Sequence, residues 1–226
     1  MLERDEILDF IGAESAAAAA TISPSSLDAR VPLCPDWSLT ELIWHLGCVQ
    51  RFWATTVHAG ELDPEFPAEE VGPSDANALD AWFRASTREL LDALRTVPWD
   101  TPAWTWWKED RTVGAIARHQ VQEAAVHRWD AQLAASGSPV PLPTKLADDG
   151  VDEFCWLARQ MRGPQPIAFH ATDTGTTFSA GADEPVVTAS APASDLVLLL
   201  YARVSPDAVI VEGDRTALDG FLVPIG

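Results

Sequence analysis

Apolar residues recur at helical spacing through most of the first 145 residues of the chain. In the third of these stretches, Leu79, Phe83 and Leu90 lie on one face of a helix of 3.6 residues per turn. The same periodicity extends over four separate stretches. It predicts helices over residues 3–20, 38–58, 74–96 and 113–135. Four helices with these connections suggest an up-down bundle of antiparallel neighbours, and the loops are longer than simple bundle turns, as functional loops often are.

The second helix has a well-defined start in the sequence W-S-L-T-E. Ser38 is a suitable N-cap, and Glu41 stands where a capping-box carboxylate can reach back to it. Trp37 and Leu42 are spaced to form the hydrophobic staple across this N-terminus. Gly60 is expected to end the helix, because glycine adopts the backbone conformations that terminate helices.

The hydrophobic pattern changes after residue 143. The segment 137-GSPVPLP-143 is typical of a linker and is followed by a predicted helix over 144–161. Alternating segments then predict strands, and further apolar runs predict helices. The strands are expected at 166–172, 175–180, 185–191 and 209–211, and the helices from 192 and over 215–222. We therefore predict an α+β protein: a helical bundle over residues 1–143 and a small α/β domain with an antiparallel sheet over residues 144–226.

The charge of the chain excludes some partners. Fifteen Lys and Arg residues against 34 Asp and Glu residues give a formal net charge of −19. Such a surface repels phosphate, so nucleic acid and anionic membranes are not expected as partners. No apolar stretch predicts a membrane span, and the charged N-terminus does not resemble a signal peptide. Three widely spaced cysteines are typical of a reducing compartment, so we expect a cytoplasmic protein.

One histidine and one glutamate stand out in the fourth helix. Glu123 and His127 are four residues apart, on one helix face, where their side chains can bind one metal ion. His45 lies mid-way along the second helix and can face them across the bundle. Two imidazoles and one carboxylate would leave a position for water or substrate, as in catalytic zinc sites. The alternative is a solvated helix face and a hydrogen-bonded core histidine.

Other polar residues near these three have less specific patterns. His119 could support the site from one turn earlier, but a surface histidine is the favoured interpretation. Cys48 and Cys34 are interpreted as packing residues rather than as ligands or reactive thiols. Asp130 could orient the imidazole of His127, or it could be a plain surface carboxylate.

Several segments resemble one known family. The segments 31-VPLCPDWSLTELIWHLG-47 and 122-QEAAVHRWDAQLAA-135 resemble the second and fourth helices of the mycothiol-dependent maleylpyruvate isomerase family, which has a DinB-like metal-binding bundle. The segments 168-AFHATDTG-175, 191-APASDLVLLLYARV-204 and 208-AVIVEGD-214 resemble its small C-terminal domain. The two helix motifs are specific only in combination. The resemblance covers nearly the whole chain in order.

The resemblance implies a zinc site and a thiol cofactor. It makes His45, Glu123 and His127 the zinc ligands, which is the set proposed above from spacing. It implies mycothiol, the small thiol of actinobacteria, and a composition of 13 Arg against 2 Lys is typical of such GC-rich sources. The family also uses an arginine of the C-terminal domain, for which Arg203 is the best match and Arg215 the rival.

One residue departs from the family pattern. Gln122 stands where many relatives have a histidine just before the glutamate. Position 122 points away from the ligand face of the helix, so the departure leaves the metal ligands intact. It removes only a supporting group next to them.

The resemblance implies an enzyme whose metal activates a thiol. The thiolate would add to a small electrophile, either in a maleylpyruvate-type cis–trans isomerisation or in a mycothiol S-transfer. The alternatives are a non-catalytic module that binds metal or a small molecule, and a regulatory scaffold. The segment 99-WDTPAWTWW-107 could line the pocket, although packing between loop and bundle is the favoured interpretation.

Overall fold

The structure, a computed structural model, describes residues 1–61 and 72–222. Its elements follow the predicted pattern closely, and most ends agree within two residues. Most of the Pro- and Glu-rich connection predicted after the second helix lies outside the described residues. The helices are α1 (Arg4–Ala19), α2 (Leu39–Ala59), α3 (Ala76–Thr96), α4 (Val113–Ser136), α5 (Thr144–Arg162), α6 (Ala193–Leu200) and α7 (Arg215–Phe221). The strands are β1 (Arg30–Val31), β2 (Cys34–Ser38), β3 (Ile167–Ala171), β4 (Thr177–Ser179), β5 (Val187–Ala191) and β6 (Ile210–Gly213).

The sequence analysis missed the hairpin formed by β1 and β2. These two short antiparallel strands precede α2, in a segment whose prolines predicted only a loop. The hairpin delivers Trp37 to the start of α2, where it packs on the same core cluster as Leu42. That cluster also contains Leu39, Ile43 and Phe83, so the core of the bundle begins at the first turn of α2.

The bundle does not have the predicted up-down order. Helices α2 and α3 run parallel, since Gly47 lies against Trp82 and, one turn further along both helices, Arg51 Nε donates to Ser86 Oγ at 2.8 Å. Helix α1 is antiparallel to α3, because Gly12 faces Leu91 while Arg4, two turns earlier on α1, donates to the carbonyl of Leu94, further along α3. Helix α4 is antiparallel to α2, because His45 faces Glu123 while the later Trp53 faces the earlier His119. The four helices therefore run up, down, down and up in chain order.

A long connection makes the parallel arrangement possible. A helix of 21 residues such as α2 is about 31 Å long. The 16 residues between Ala59 and Ala76 can span about 50 Å when extended. A connection of this length is long enough to allow either direction for α3, whereas a short turn would have forced an antiparallel neighbour.

The second sheet is mixed rather than antiparallel. Its strand order is β4-β3-β5-β6, and β3 pairs with β5 in parallel, with Phe169 opposite Ala189. The pairs β3–β4 and β5–β6 are antiparallel, as expected. Helix α6 packs on β3 and β5, and α5 packs on α6. The predicted α+β class is thus confirmed, while the prediction of a wholly antiparallel sheet is wrong.

The chain divides into two compact units. The helical unit contains Glu3–Val140, and the C-terminal unit contains Met1–Leu2 and the residues from Pro141 onwards. Among residues 1–61 and 72–222, no helix has both the length and the apolar character needed to cross a membrane.

Candidate metal centre

Helix α2 carries His45, the first of the three candidate ligands. The predicted capping box fixes the start of this helix: the Glu41 amide donates to Ser38 Oγ at 3.3 Å, and the Ser38 amide donates to the Glu41 carboxylate at 2.7 Å. His45 follows Ser38 by about two helical turns. Its ring lies 4.7 Å from the ring of Trp37, and its side chain is 36% exposed. The imidazole is thus supported on one side and accessible on the other.

Helix α4 brings Glu123 and His127 opposite His45. Glu123 Oε1 lies 3.4 Å from His127 Nε2, one turn along the same helix, and 3.6 Å from His45 Nε2 on α2. One ligand atom from each of the three residues lies within 4.8 Å of the others. The two imidazole rings meet edge to face, with their centroids 5.4 Å apart. These three side chains could hold one divalent metal ion, and among the described residues no other such group is present.

Asp130 supports His127 from behind. Its Oδ2 lies 3.0 Å from His127 Nδ1, and the carboxylate is completely buried. Of the two interpretations that the sequence left open, the structure therefore favours the supporting carboxylate over a surface one. Because Nδ1 faces Asp130, Nε2 faces Glu123 and His45. Metal-binding histidines in proteins are commonly oriented in this way.

The charges of the cluster shift the pKa values of its members. Burial would raise the pKa of the Glu123 carboxyl, but the charge of His127, hydrogen bonds from His127 and His45, and the charge of His119 hold it well below its usual value. Burial would lower the pKa of His127, but Glu123 and Asp130 raise it to about 9. Glu123 is therefore a carboxylate at neutral pH, as metal coordination requires.

His119 is not the surface histidine that was expected. Its ring packs among three indoles, with centroid distances of 5.3 Å to Trp107, 5.6 Å to Trp106 and 6.5 Å to Trp53. It lies one turn before Glu123 on α4, and its charge contributes to the low pKa of that carboxyl. The contact with Trp53 also shows that α2 and α4 are antiparallel, because His45 faces Glu123 while Trp53, further along α2, faces the earlier His119.

The cysteines lie outside this cluster. Cys34 and Cys48 are half-buried and Cys155 is buried, and the group of converging donor atoms includes none of them. Burial raises the pKa of the Cys155 thiol to about 12. Gln122, next to Glu123, is completely buried, and its side-chain amide has no hydrogen-bond partner among the described residues.

The two candidate arginines lie in the C-terminal unit. Arg203 follows α6 and donates to the backbone carbonyl of Tyr201 at 2.7 Å. The preceding residue, Ala202, has a φ of 59°. Arg215, at the start of α7, is bound by two carboxylates: it donates to Asp219 at 2.8 Å and to Asp207 at 3.0 Å.

Comparison with known families identifies the chain. The family model described as the mycothiol maleylpyruvate isomerase N-terminal domain matches residues 8–132, which is more than half of the chain. The model of the MDMPI C-terminal domain matches residues 115–220. The chain belongs to the mycothiol maleylpyruvate isomerase family. The family recognised from the helix motifs is thereby confirmed, together with the expectation that the chain is an enzyme of that family.

Solved structures share the fold of this family member. A crystal structure of the mycothiol-dependent maleylpyruvate isomerase and one of its histidine-to-alanine mutant each superpose with a TM-score of 0.71. Each is 16% identical in sequence, and each alignment covers 94% of this chain and 95% of the other. At this identity the likeness establishes the fold alone. A search of curated protein sequences gives no significant match.

Proposed function

We propose that this family member is a zinc- and mycothiol-dependent enzyme that adds the thiol to an activated double bond. The supporting observation is the convergence of His45, Glu123 and His127, with their ligand atoms within 4.8 Å of one another. The addition is the first step of a maleylpyruvate-type cis–trans isomerisation, in which rotation about the new single bond and elimination follow. It is also the bond-forming step of an S-transfer, in which the adduct leaves.

The donor set suits a zinc ion. Zinc prefers imidazole nitrogen and carboxylate oxygen at about 2.0–2.1 Å in tetrahedral geometry, which places neighbouring ligand atoms about 3.3 Å apart. The Glu123 oxygen lies 3.4 Å and 3.6 Å from the two histidine nitrogens, so only small side-chain movements would be needed. Three protein ligands are typical of catalytic zinc sites, because a fourth position is left for the reactant.

The residues around the metal centre favour the binding of a thiol. A bound zinc ion would supply a positive charge that lowers the pKa of a thiol reaching the fourth position. Asp130 holds the Nδ1 side of His127, which leaves Nε2 for the centre. The partial exposure of His45 leaves a path from solvent to the centre. We infer that this path admits the thiol.

Arg203 is proposed to bind a carboxylate of the substrate or of mycothiol. Arg215, the rival, already donates to two carboxylates of its own unit, so its charge is largely compensated. Arg203 follows α6, donates to the backbone carbonyl of Tyr201, and is the arginine that the family resemblance favours. A guanidinium can bind a carboxylate through two parallel hydrogen bonds, which orients the substrate as well as binding it.

Calorimetry with the zinc-loaded protein tests this proposal. Mycothiol is titrated into the protein in two buffers of different ionisation enthalpy, so that released protons appear as a difference in the observed heat. We expect release of up to one proton per thiol, with affinity rising with pH until the free thiol itself ionises. Glutathione should bind more weakly, because the family implies a pocket for mycothiol. His127→Ala, which removes a ligand, should abolish the binding of both thiols.

Two outcomes would contradict the proposal. If zinc is present in stoichiometric amount and millimolar mycothiol gives no heat, the chain is a metal-binding module without thiol chemistry. If the purified protein takes up no zinc yet keeps its fold, the helical unit is a scaffold. Far-UV circular dichroism and metal analysis on the same sample separate these two cases.

A further inference from the structure

Polar side chains form a layer inside the helical unit. Gln50 of α2 stands at its centre: its amide nitrogen donates to Ser15 Oγ on α1 at 2.9 Å, and its amide oxygen accepts from the Thr87 hydroxyl on α3, also at 2.9 Å. All three side chains are buried. Buried polar groups are costly unless they are hydrogen-bonded, and these two bonds join three of the four helices of the bundle.

Gln120 brings the fourth helix to the same level. The antiparallel helices α2 and α4 meet at His45 with Glu123 and at Trp53 with His119. On each helix one glutamine lies between these two contacts, Gln50 on α2 and Gln120 on α4. The two amides therefore lie at one level of the bundle, and each of the four helices contributes one polar residue to it.

The position of Gln120 on α4 directs its side chain between α1 and α2. A helix turns by about 100° per residue, so Gln120 lies about 60° from Glu123, which faces α2. In the other sense it lies about 80° from Arg128, whose Nε donates to the Glu14 carboxylate on α1 at 2.6 Å. The hydrogen bond from Gln50 to α1 joins the same two helices. The Gln120 amide is thus directed toward that bond.

The Gln120 amide is closed off from bulk solvent and has no protein partner within the described part of the chain. The residue is 1% exposed, and neither its oxygen nor its nitrogen makes a hydrogen bond to residues 1–61 or 72–222. An unpaired amide in the interior is destabilising, and native proteins satisfy such groups with ordered water. A buried water makes about three hydrogen bonds, so it needs polar groups on more than one side.

We propose that the polar layer binds a water molecule between Gln120 and the pair of Ser15 and Gln50. The Gln120 amide offers the water a donor and an acceptor. The Ser15 hydroxyl accepts from Gln50 and still has its own proton to donate, and the Gln50 nitrogen has a second hydrogen. The water joins α4, which carries two of the candidate metal ligands, to the other three helices. This water site does not depend on the function proposed above.

A crystal structure of the full chain, at a resolution that shows ordered water, tests the site directly. We expect a density peak within hydrogen-bond distance of the Gln120 amide and of either Ser15 Oγ or Gln50 Nε2. A dry layer would overturn the proposal. So would a direct hydrogen bond from the Gln120 amide to Ser15 or Gln50, because the amide would then need no water.

The stability of Gln120→Met tests the same site in solution. Methionine keeps the length of the side chain and its helix propensity, but it cannot bind water. Its introduction leaves the water and Ser15 with fewer partners, so we expect the unfolding equilibrium constant to rise about 5- to 30-fold in urea titrations. If the amide of the wild type is unpaired, methionine is the better residue and the constant falls. An unchanged or lower constant would overturn the proposal.

A double-mutant cycle with Ser15→Ala shows whether the two side chains share a partner. No hydrogen bond joins Gln120 to Ser15, so independent effects on the unfolding constant would multiply. If both changes remove the same water, the combined effect should be about 3- to 30-fold smaller than the product of the single effects. A product within about twofold of the combined effect would overturn the shared water.

Gln122→Met is the matched control for this cycle. Gln122 is also a buried amide of α4 without a partner among the described residues, but it lies about 160° around the helix from Gln120. Its effect should multiply with that of Ser15→Ala within about twofold. Equal coupling of Ser15 to Gln122 and to Gln120 would overturn the proposal, because a bound water cannot contact both sides of α4.

Discussion

The carboxylate of Asp130 lies 3.0 Å from Nδ1 of His127, one helical turn further along α4, and it is completely buried. A buried carboxylate is costly unless it is paired, so its position beneath a candidate ligand indicates a specific task. It fixes the direction of the imidazole and increases the electron density at the opposite nitrogen.

Replacing this carboxylate should weaken metal binding without removing a ligand. Asp130→Asn keeps the size of the side chain but loses its charge, and we expect zinc affinity to fall about 10- to 100-fold. Competition with a chromophoric chelator measures the affinity. Asp92→Asn is the matched control, because Asp92 is an exposed residue of α3 that forms a surface ion pair with Arg95. Equal zinc affinity in Asp130→Asn and the wild type would contradict the supporting role.

Loss of a histidine ligand should remove the metal while leaving the fold intact. His45→Ala and His127→Ala are expected to lose most of the bound zinc, because two protein ligands hold zinc poorly. Helical content should persist, since the core residues such as Leu42 and Phe83 are untouched. Mass spectrometry of the metal and far-UV circular dichroism measure the two properties. Glu123→Gln should lose less zinc, because its amide oxygen can still coordinate.

The control for these variants is the exposed His58 on α2. His58→Ala should retain the full amount of zinc. A wild-type amount of zinc in either His45→Ala or His127→Ala would disprove the assignment of that ligand.

Arg203 and Arg215 should differ in their effect on catalysis. If Arg203 binds a substrate carboxylate, Arg203→Ala should raise KM or lower kcat with unchanged zinc content. Arg203→Lys should recover only part of this loss, because lysine lacks the two parallel donors. Arg215→Ala should leave the kinetics unchanged, since this exposed side chain is bound by Asp207 and Asp219. Steady-state kinetics with mycothiol and an enone measure KM and kcat of each variant. A larger loss in Arg215→Ala than in Arg203→Ala would assign the role to Arg215 instead.

The buried thiol of Cys155 should make the protein less stable at alkaline pH. Burial raises the pKa of this thiol from 9.0 to about 12 in the folded protein. Between these values the unfolded chain loses the thiol proton while the folded chain keeps it. The free energy of unfolding should therefore fall with rising pH, by at most about 1.4 kcal/mol per pH unit from this group.

Urea unfolding of the wild type and Cys155→Ala between pH 8 and pH 11 isolates this contribution. The alkaline loss should be smaller in Cys155→Ala, whereas Cys48→Ala, which replaces a half-buried cysteine, should follow the wild type. Parallel curves for the wild type and Cys155→Ala would show that this thiol does not control the pH dependence.

Local features of the sequence were sufficient to predict most elements. The capping box of Ser38 and Glu41 depends on residues three apart, and it forms as expected. The spacing of Glu123 and His127 placed them on one helix face, because a helix repeats every 3.6 residues. Such interactions lie within one or two turns, so the order of residues alone determines them.

The direction of neighbouring elements depended on tertiary structure. The parallel pairing of α2 with α3 and of β3 with β5 is a property of the packed structure, and hydrophobic periodicity does not encode it. A strand has the same alternation whether its neighbour is parallel or antiparallel. The predictions of an up-down order and of an antiparallel sheet were therefore wrong, although most of the elements themselves were predicted correctly.

The surroundings of single residues depended on tertiary structure as well. Nothing in the sequence near His119 shows that Trp53, 66 positions earlier, packs against its ring. The sequence equally allowed Asp130 to face solvent, whereas in the structure this residue lies on a buried side of α4. The sequence by itself thus determined most of the elements, the pair of Glu123 and His127 on one helix face, and the family motifs, because each is a short-range pattern. Only the packing of distant segments decided which polar side chains were buried and what they contact.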